Sequence, residues 1–171
     1  MRKQTGGLCS EFLHGLAPGE AIEGFIRANP EFRPARDRKP MILVGAGTGI
    51  APLAGFVRHN RNKPAYMFFG ARDPQSDNLY RDDLGAALND GRLTQLDTAF
   101  SRVVGGSYVQ DHVAANAALL QKLVADGAQV FVCGGLDMAH GARDAFDQLL
   151  GPLGLSTDAL KTQGRYFEDA Y

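Results

Sequence analysis

The chain reads as a doubly wound α/β domain built on a parallel sheet, and two features of its 171 residues predict this. From Met41 onward, short apolar runs alternate with longer segments of helical periodicity, the pattern of strands joined by right-handed crossovers. The first run, M-I-L-V, leads into G-A-G-T-G-I-A-P (45–52), where glycines turn a strand into a helix. Such a turn sets unpaired helix N–H groups and the positive end of the helix dipole at a strand's carboxyl end. That is where a doubly wound sheet receives its ligand.

Strands are expected at Met41–Val44, Ala65–Gly70, Leu93–Phe100 and Gln129–Cys133, with a short one near Arg165–Asp169. Ile50, Leu53, Ala54 and Val57 fall at i, i+3, i+4 and i+7, one apolar helix face. Leu79–Leu88 follows the turn-rich D-P-Q-S-D-N. Tyr108–Asp126 holds one or two helices, closed by Asp126-Gly127. Leu136–Leu150 stops at Gly151-Pro152, and Ser156 opens a last short helix through Thr162. In the first turn, Gly45, Gly47 and Gly49 are expected to clear side chains from a ligand's approach.

Ahead of Met41 the character changes. Residues 1–34 carry G-G-L-C-S-E-F-L, a turn A-P-G-E, a strand-like A-I-E-G-F-I-R (21–27) and N-P-E-F-R-P. Ala35–Pro40, charged and bounded by prolines, reads as a linker. This leading segment is too short to bury a core alone. It looks like the tail of a preceding domain, so the chain is expected to be a piece of a longer protein.

Composition excludes several function classes. Hydrophobic content of 44% and charged content of 22% are those of a globular protein. A formal net charge of −1 argues against a nucleic-acid groove. No apolar run approaches the ~20 residues of a membrane span, and no signal peptide opens the chain. Cys9 and Cys133 form no C-x-x-C pair and read as thiols of a reducing cytoplasm. His14, His59, His112 and His140 show no metal-ligand spacing.

Taken in order, G-G-L-C-S-x-F-L, G-A-G-T-G-I-A-P, F-F-G-A-R, A-F-S-R, Y-V-Q, V-C-G-G-L-D-M-A and G-R-Y-F-E-D-A-Y span almost the whole chain. Together they resemble the C-terminal part of the ferredoxin–NADP reductase superfamily, in its diflavin reductase branch. The resemblance implies an NADP-binding domain at 41–171, preceded at 1–40 by the remnant of a β-barrel FAD domain and a linker. It also implies NADP(H) and FAD as cofactors, and NADPH as hydride donor to FAD. Single electrons would then pass to an acceptor such as an FMN domain, haem or a metal protein.

Residue by residue, the resemblance gives Leu8, Cys9 and Ser10 to the FAD pyrophosphate and Gly47, Thr48 and Gly49 to the NADP pyrophosphate and nicotinamide side. Ser101, Arg102, Tyr108 and Gln110 fall to the adenosine 2′-phosphate pocket. The chemistry agrees: a dianionic phosphate suits a guanidinium fork with a hydroxyl donor, and an aromatic ring can stack on adenine. Arg72, Gly134, Asp137 and Met138 complete the implied cofactor contacts. Cys133 and Asp169 would flank the hydride-transfer position, orienting and supporting charge rather than moving protons. Tyr171 would lie flat on the flavin, where relatives frequently carry Trp.

One departure concerns specificity: relatives often carry a lysine two residues before the tyrosine, where this chain has Gly106. Another is the missing R-x-Y-S flavin motif of the barrel, so FAD binding by this chain is expected to be weak or nil. Two other readings stay open, a nucleotide-binding module without catalysis of its own and an NADH-using reductase of the same superfamily. A yellow preparation distinguishes the reductase from the module, and side-by-side nucleotides distinguish NADPH from NADH use.

Overall fold

The computed structural model describes residues 6–25 and 29–171. A parallel sheet of five strands organises it: β1 (Met41–Ala46), β2 (Ala65–Ala71), β3 (Gln95–Phe100), β4 (Gln129–Gly134) and β5 (Tyr166–Ala170), in the order β3-β2-β1-β4-β5. The helices are α1 (Leu8–Gly15), α2 (Ile50–His59), α3 (Arg81–Asn89), α4 (Val109–Ala115), α5 (Ala117–Ala125), α6 (Leu136–Leu150) and α7 (Thr157–Thr162). The chain winds outward from β1 to β3, then returns across the sheet to β4. The order therefore reverses between β1 and β4, the point at which a doubly wound sheet offers a ligand crevice.

Alternation along the strands divides the core in two. Ile42 and Val44 of β1, with Phe68, Val130, Val132 and Tyr166, face α4, α5 and α6. Met41 and Leu43, with Met67, Phe69, Phe131 and Cys133, face α2 and α3. The central strands β1 and β4 are apolar on both faces because both faces are covered. Each fully buried Leu, Ile or Phe here contributes about 1.5–3 kcal/mol. The face of α2 expected from spacing is the buried one: Ile50, Leu53, Ala54 and Val57.

Local chemistry explains the boundaries. Asp73 accepts from the backbone N–H of Gln75 and Ser76, at 2.8 and 2.9 Å, and holds the turn after β2. Tyr80 then takes a left-handed conformation (φ 58°), so α3 begins at Arg81 rather than Leu79. Leu93 is buried but precedes β3, because Thr94 N donates to Ala65 O before the ladder begins at Gln95. Ser156 caps α7, its Oγ accepting from Ala159 N at 3.1 Å. The region 108–126 is two helices, with a break at Asn116.

The leading segment needs one correction. Residues 21–25 of the strand-like 21–27 form no strand and are exposed; Ile26, Arg27 and Ala28 lie outside the described residues. Strand-favouring residues alone do not make a strand without a neighbour for their backbone groups. Phe32, by contrast, is 7% exposed and packs edge-on against Phe131, ring centroids 5.4 Å apart. The expected linker is tied to the sheet as well, since Ala35 N donates to Gln129 Oε1 at 2.8 Å and Gln129 N to Pro40 O at 3.0 Å.

Candidate functional site

The carboxyl ends of β1 and β4 meet at a backbone-to-backbone approach. A Cβ on Gly49 would stand 2.1 Å from Cys133 O and 2.5 Å from its carbonyl carbon. A Cβ on Gly45 would meet Leu53 Cδ1 at 2.8 Å. These two glycines make room for the protein itself: they let the start of α2 lie directly on β4. Gly47 is the one that opens outward. Its φ of +55° favours glycine, and nothing lies within 4 Å of where its Cβ would be. The turn Gly47–Gly49 is a short 3-10 helix running into α2, so amide N–H groups gather at this end of the crevice.

On the other side, Gly134-Gly135 leads into α6, a fifteen-residue helix whose first turn carries Asp137 and Met138. Asp137 is exposed, and Met138 is half-buried with its Cε against Gly134.

Cys133 and Asp169 are Cα partners in the β4–β5 ladder and point to the same face, that of α2. Cys133 is 2% exposed and Asp169 is exposed. Burial, with the Asp169 carboxylate adding to it, pushes the Cys133 thiol up to about 11. At neutral pH it is a neutral, weakly donating S–H group and not a nucleophile. A groove of about 900 Å³ lies on this face, lined in part by Phe32, Pro52, Phe56, His59 and Asp169.

Tyr171 spans the crevice. Its N–H donates to Gly134 O at 3.1 Å, and its hydroxyl lies 2.5 Å from Thr48 Oγ1, one hydroxyl donating to the other. The terminal ring is 63% exposed yet held at two points. A residue that sequence position alone would leave fraying is joined to the glycine turn 123 residues away.

Towards the sheet edge, Arg72 and Arg102 follow β2 and β3, both exposed, with Arg102 N donating to Arg72 O at 2.8 Å. Ser101 N donates to Ala71 O, and its Oγ reaches the same carbonyl at 3.4 Å. Tyr108 precedes α4, 62% exposed, its N–H given to Asp111 Oδ2 at 2.7 Å. Gln110 turns elsewhere: its amide lies against Gly141 of α6, where an added Cβ would meet it at 3.2 Å. The structure therefore gathers Arg72, Ser101 and Arg102 at adjoining strand ends, with Gln110 packed between helices.

Leu8, Cys9 and Ser10 form the first turn of α1, an element with no buried residue. Cys9 is exposed, and Ser10 Oγ donates to Gly7 O at 3.1 Å.

A polar network that motif reading missed lies beside Tyr108, at the foot of the loop that carries Arg102. His112 Nδ1 is 2.5 Å from Asp97 Oδ1, and His112 Nε2 is 2.7 Å from Ser107 Oγ. Asp97 stands in β3 and His112 in α4, so only the folded register unites them. The signal available in sequence was Asp97 alone, a carboxylate within an otherwise strand-like run.

The oxidoreductase NAD-binding domain family matches residues 43–144. The chain is 41% identical over 153 residues to the sulfite reductase [NADPH] flavoprotein alpha-component of Photobacterium profundum, covering 86% of this chain and 25% of that protein. It is 38% identical over 163 residues to a self-sufficient cytochrome P450 monooxygenase of Oidiodendron maius, covering 85% and 15%. With a nitric oxide synthase-like protein of Bombyx mori it shares 36% identity over 188 residues, 96% of this chain and 17% of that one. The chain thus spans a quarter or less of the length of these relatives. Among the described residues no helix is long and apolar enough to cross a membrane, and no group of acidic, histidine or cysteine side chains could hold a metal. With its glycine turn, reversed strand order and these relatives, the chain belongs to the oxidoreductase NAD-binding domain family, in the diflavin reductase branch of the ferredoxin–NADP reductase superfamily.

Proposed function

We propose that residues 41–171 are the NADP(H)-handling domain of a flavoprotein reductase, with 1–40 as the end of its FAD domain and a linker. The observation that carries the reading is the crevice at the strand reversal. It has the open Gly47 turn and the start of α2 on one side, the start of α6 on the other, and two exposed arginines at the adjoining strand ends. Pyrophosphate oxygens fit N–H groups at the Gly47–Gly49 turn. The 2′-phosphate fits Arg102 and Arg72 with the Ser101 hydroxyl, and Tyr108 offers its exposed face to adenine.

When bound, NADPH would supply a hydride that FAD accepts and releases onward as single electrons. The protein's part is positional and electrostatic. Cys133 presents a neutral, buried thiol that shapes the apolar wall and offers one weak donor. Asp169, beside it and exposed, supports positive charge developing on a nicotinamide. Thr48 and Tyr171 close the crevice over this point, so Tyr171 must move aside before a ring can stack there. Leu8, Cys9 and Ser10 fit an FAD pyrophosphate only as a small-residue helix start, and tight flavin binding is assigned to the rest of the longer protein.

The electron acceptor is of the FMN-domain, haem or metalloprotein kind, and the two free thiols suit a cytoplasmic setting. One observation favours the second reading, an NADH-using reductase. A side chain at Gly106 would meet three backbone carbonyls at 2.8–2.9 Å, so a lysine cannot enter this loop as it is wound.

Calorimetry with NADP⁺ and NAD⁺ tests the assignment. Tighter binding of NADP⁺, reduced to the NAD⁺ level by Arg102→Ala, is expected. Equal affinities in the wild-type chain would favour the NADH reading, and no binding of either would remove both.

A further inference from the structure

The polar network beside Arg102 has a bonding pattern that neither nucleotide contact nor packing has used. Asp97 lies in β3, an edge strand, in register with Phe68, and so faces α4. Its side chain is 26% exposed and both of its oxygens are engaged. Oδ1 takes His112 Nδ1 at 2.5 Å, and Oδ2 accepts from Asn116 Nδ2 at 3.1 Å. Asn116 Nδ2 also donates to His112 O at 2.9 Å, fixing the backbone that carries the imidazole. A carboxylate accepts, so Nδ1 carries the proton, and Nε2 is left to Ser107 Oγ at 2.7 Å.

The order serine, imidazole, carboxylate is that of a hydrolytic relay, but the surroundings exclude that use of it. An oxyanion needs amide N–H groups aimed at it. Here Gly106 N donates to Val103 O, Ser107 N to Phe100 O and Tyr108 N to Asp111 Oδ2. The loop's own amides near Ser107 are spent.

What the relay does hold is the loop 101–108. That loop leaves β3 at Phe100 and returns at Ser107, whose N–H meets Phe100 O at 3.1 Å. It lacks an apolar anchor of its own, because Val103 and Val104 are 40% and 106% exposed. Fixing such residues costs backbone entropy, and a binding loop ordered beforehand escapes that cost at the moment of binding. Ser107 sits between the arginine side of the loop and Tyr108, so its hydroxyl pins both walls of the pocket.

We propose that Asp97, His112 and Ser107 form a positioning relay that holds the 101–108 loop in its binding shape and thereby sets the preference for a 2′-phosphorylated nucleotide. The inference rests on the assignment of this loop to the 2′-phosphate. None of the three residues needs to touch the nucleotide; they act through Arg102 and Tyr108.

The experiment is calorimetry of the whole chain with NADP⁺ and with NAD⁺, on Ser107→Ala, Ser107→Thr, His112→Ala and Arg102→Ala. One hydrogen bond corresponds to roughly a two- to tenfold change in affinity. Ser107→Ala and His112→Ala should each weaken NADP⁺ by about that factor while NAD⁺ stays within about twofold, and Ser107→Thr should restore the preference by keeping the hydroxyl. If His112→Ala fails to fold, the serine pair carries the test alone. An unchanged NADP⁺ to NAD⁺ ratio in Ser107→Ala, with the ratio lowered in Arg102→Ala, overturns the relay and leaves the pocket standing. A ratio unmoved by Arg102→Ala overturns the pocket and the relay with it.

Discussion

At the centre of the sheet the crevice is walled by backbone: Gly49 lies on the Cys133 carbonyl, Gly134 against Ala46, and Cys133 is sealed beneath them. At the sheet edge it is walled by side chains on exposed chain, Arg72, Arg102 and Tyr108, held by hydrogen bonds rather than by packing. The central half is a consequence of folding, because the same close approach that forms the crevice also seats α2. The edge half is chemistry added to a fold that does not need it. Changes at the centre should therefore act on stability first and on binding as a result, and changes at the edge on binding alone.

The sharpest way to break that contrast is Gly49→Ala. Overpacking usually costs about 1–3 kcal/mol, but here the obstacle is backbone on both sides, and a loss of about 3 kcal/mol or more is expected in urea unfolding. A variant as stable as wild type would show that α2 need not rest on β4. Next in size, Arg102→Ala should weaken NADP⁺ by roughly ten- to a hundredfold, the value of a charge-assisted contact of about 1.5–3 kcal/mol. Its unfolding midpoint should stay with the wild type.

A third variant asks whether β5 belongs to the central half. Glu168 accepts from Arg143 of α6 and Lys161 of α7. Burial raises its carboxyl, but the hydrogen bonds from Arg143 and Lys161 outweigh this and hold it below its ordinary 4.5. A depressed carboxylate stabilises the fold above its unfolded value, and that contribution fades as pH falls through the lower folded one. Glu168→Gln should thus cost about 1 kcal/mol at neutral pH, discounted because both cations are about a third exposed. The gap to wild type should narrow in acid below pH 4.5. A gap that persists unchanged at low pH would assign the effect to packing.

The smallest effect concerns the bridge between the halves. Tyr171→Phe removes the bond to Thr48, worth about 0.5–1.5 kcal/mol. If that bond must open for a nucleotide, NADP⁺ should bind up to roughly tenfold more tightly. Weaker binding would mean that the tyrosine hydroxyl serves the ligand instead.

The same contrast explains what could be read from sequence. The strands, α2 and α6 were legible because burial on both faces or on one stripe imposes a period, as in M-I-L-V and in Ile50, Leu53, Ala54 and Val57. The glycine turn was legible as a turn, but its division of labour was not: that Gly49 serves β4 while Gly47 opens outward depends on the register Gly45 with Cys133. Asp97–His112–Ser107 and Thr48–Tyr171 were hidden for a like reason: the first is joined by the packing of α4 on β3 and the second by strand order, neither by a motif spacing. Residues 21–25 misled in the opposite sense, strand-like in residue type but, among the described residues, with no strand beside them.

The central claim, one crevice with a general half and a 2′-phosphate half, is tested most directly by backbone amide NMR during titration with each nucleotide. NADP⁺ and NAD⁺ should both perturb the amides of residues 47–50 and 134–137. NADP⁺ alone should also perturb Arg72, Arg102 and Tyr108. Identical maps for the two nucleotides, or shifts confined to α1 or to the groove beneath α2, would contradict the account.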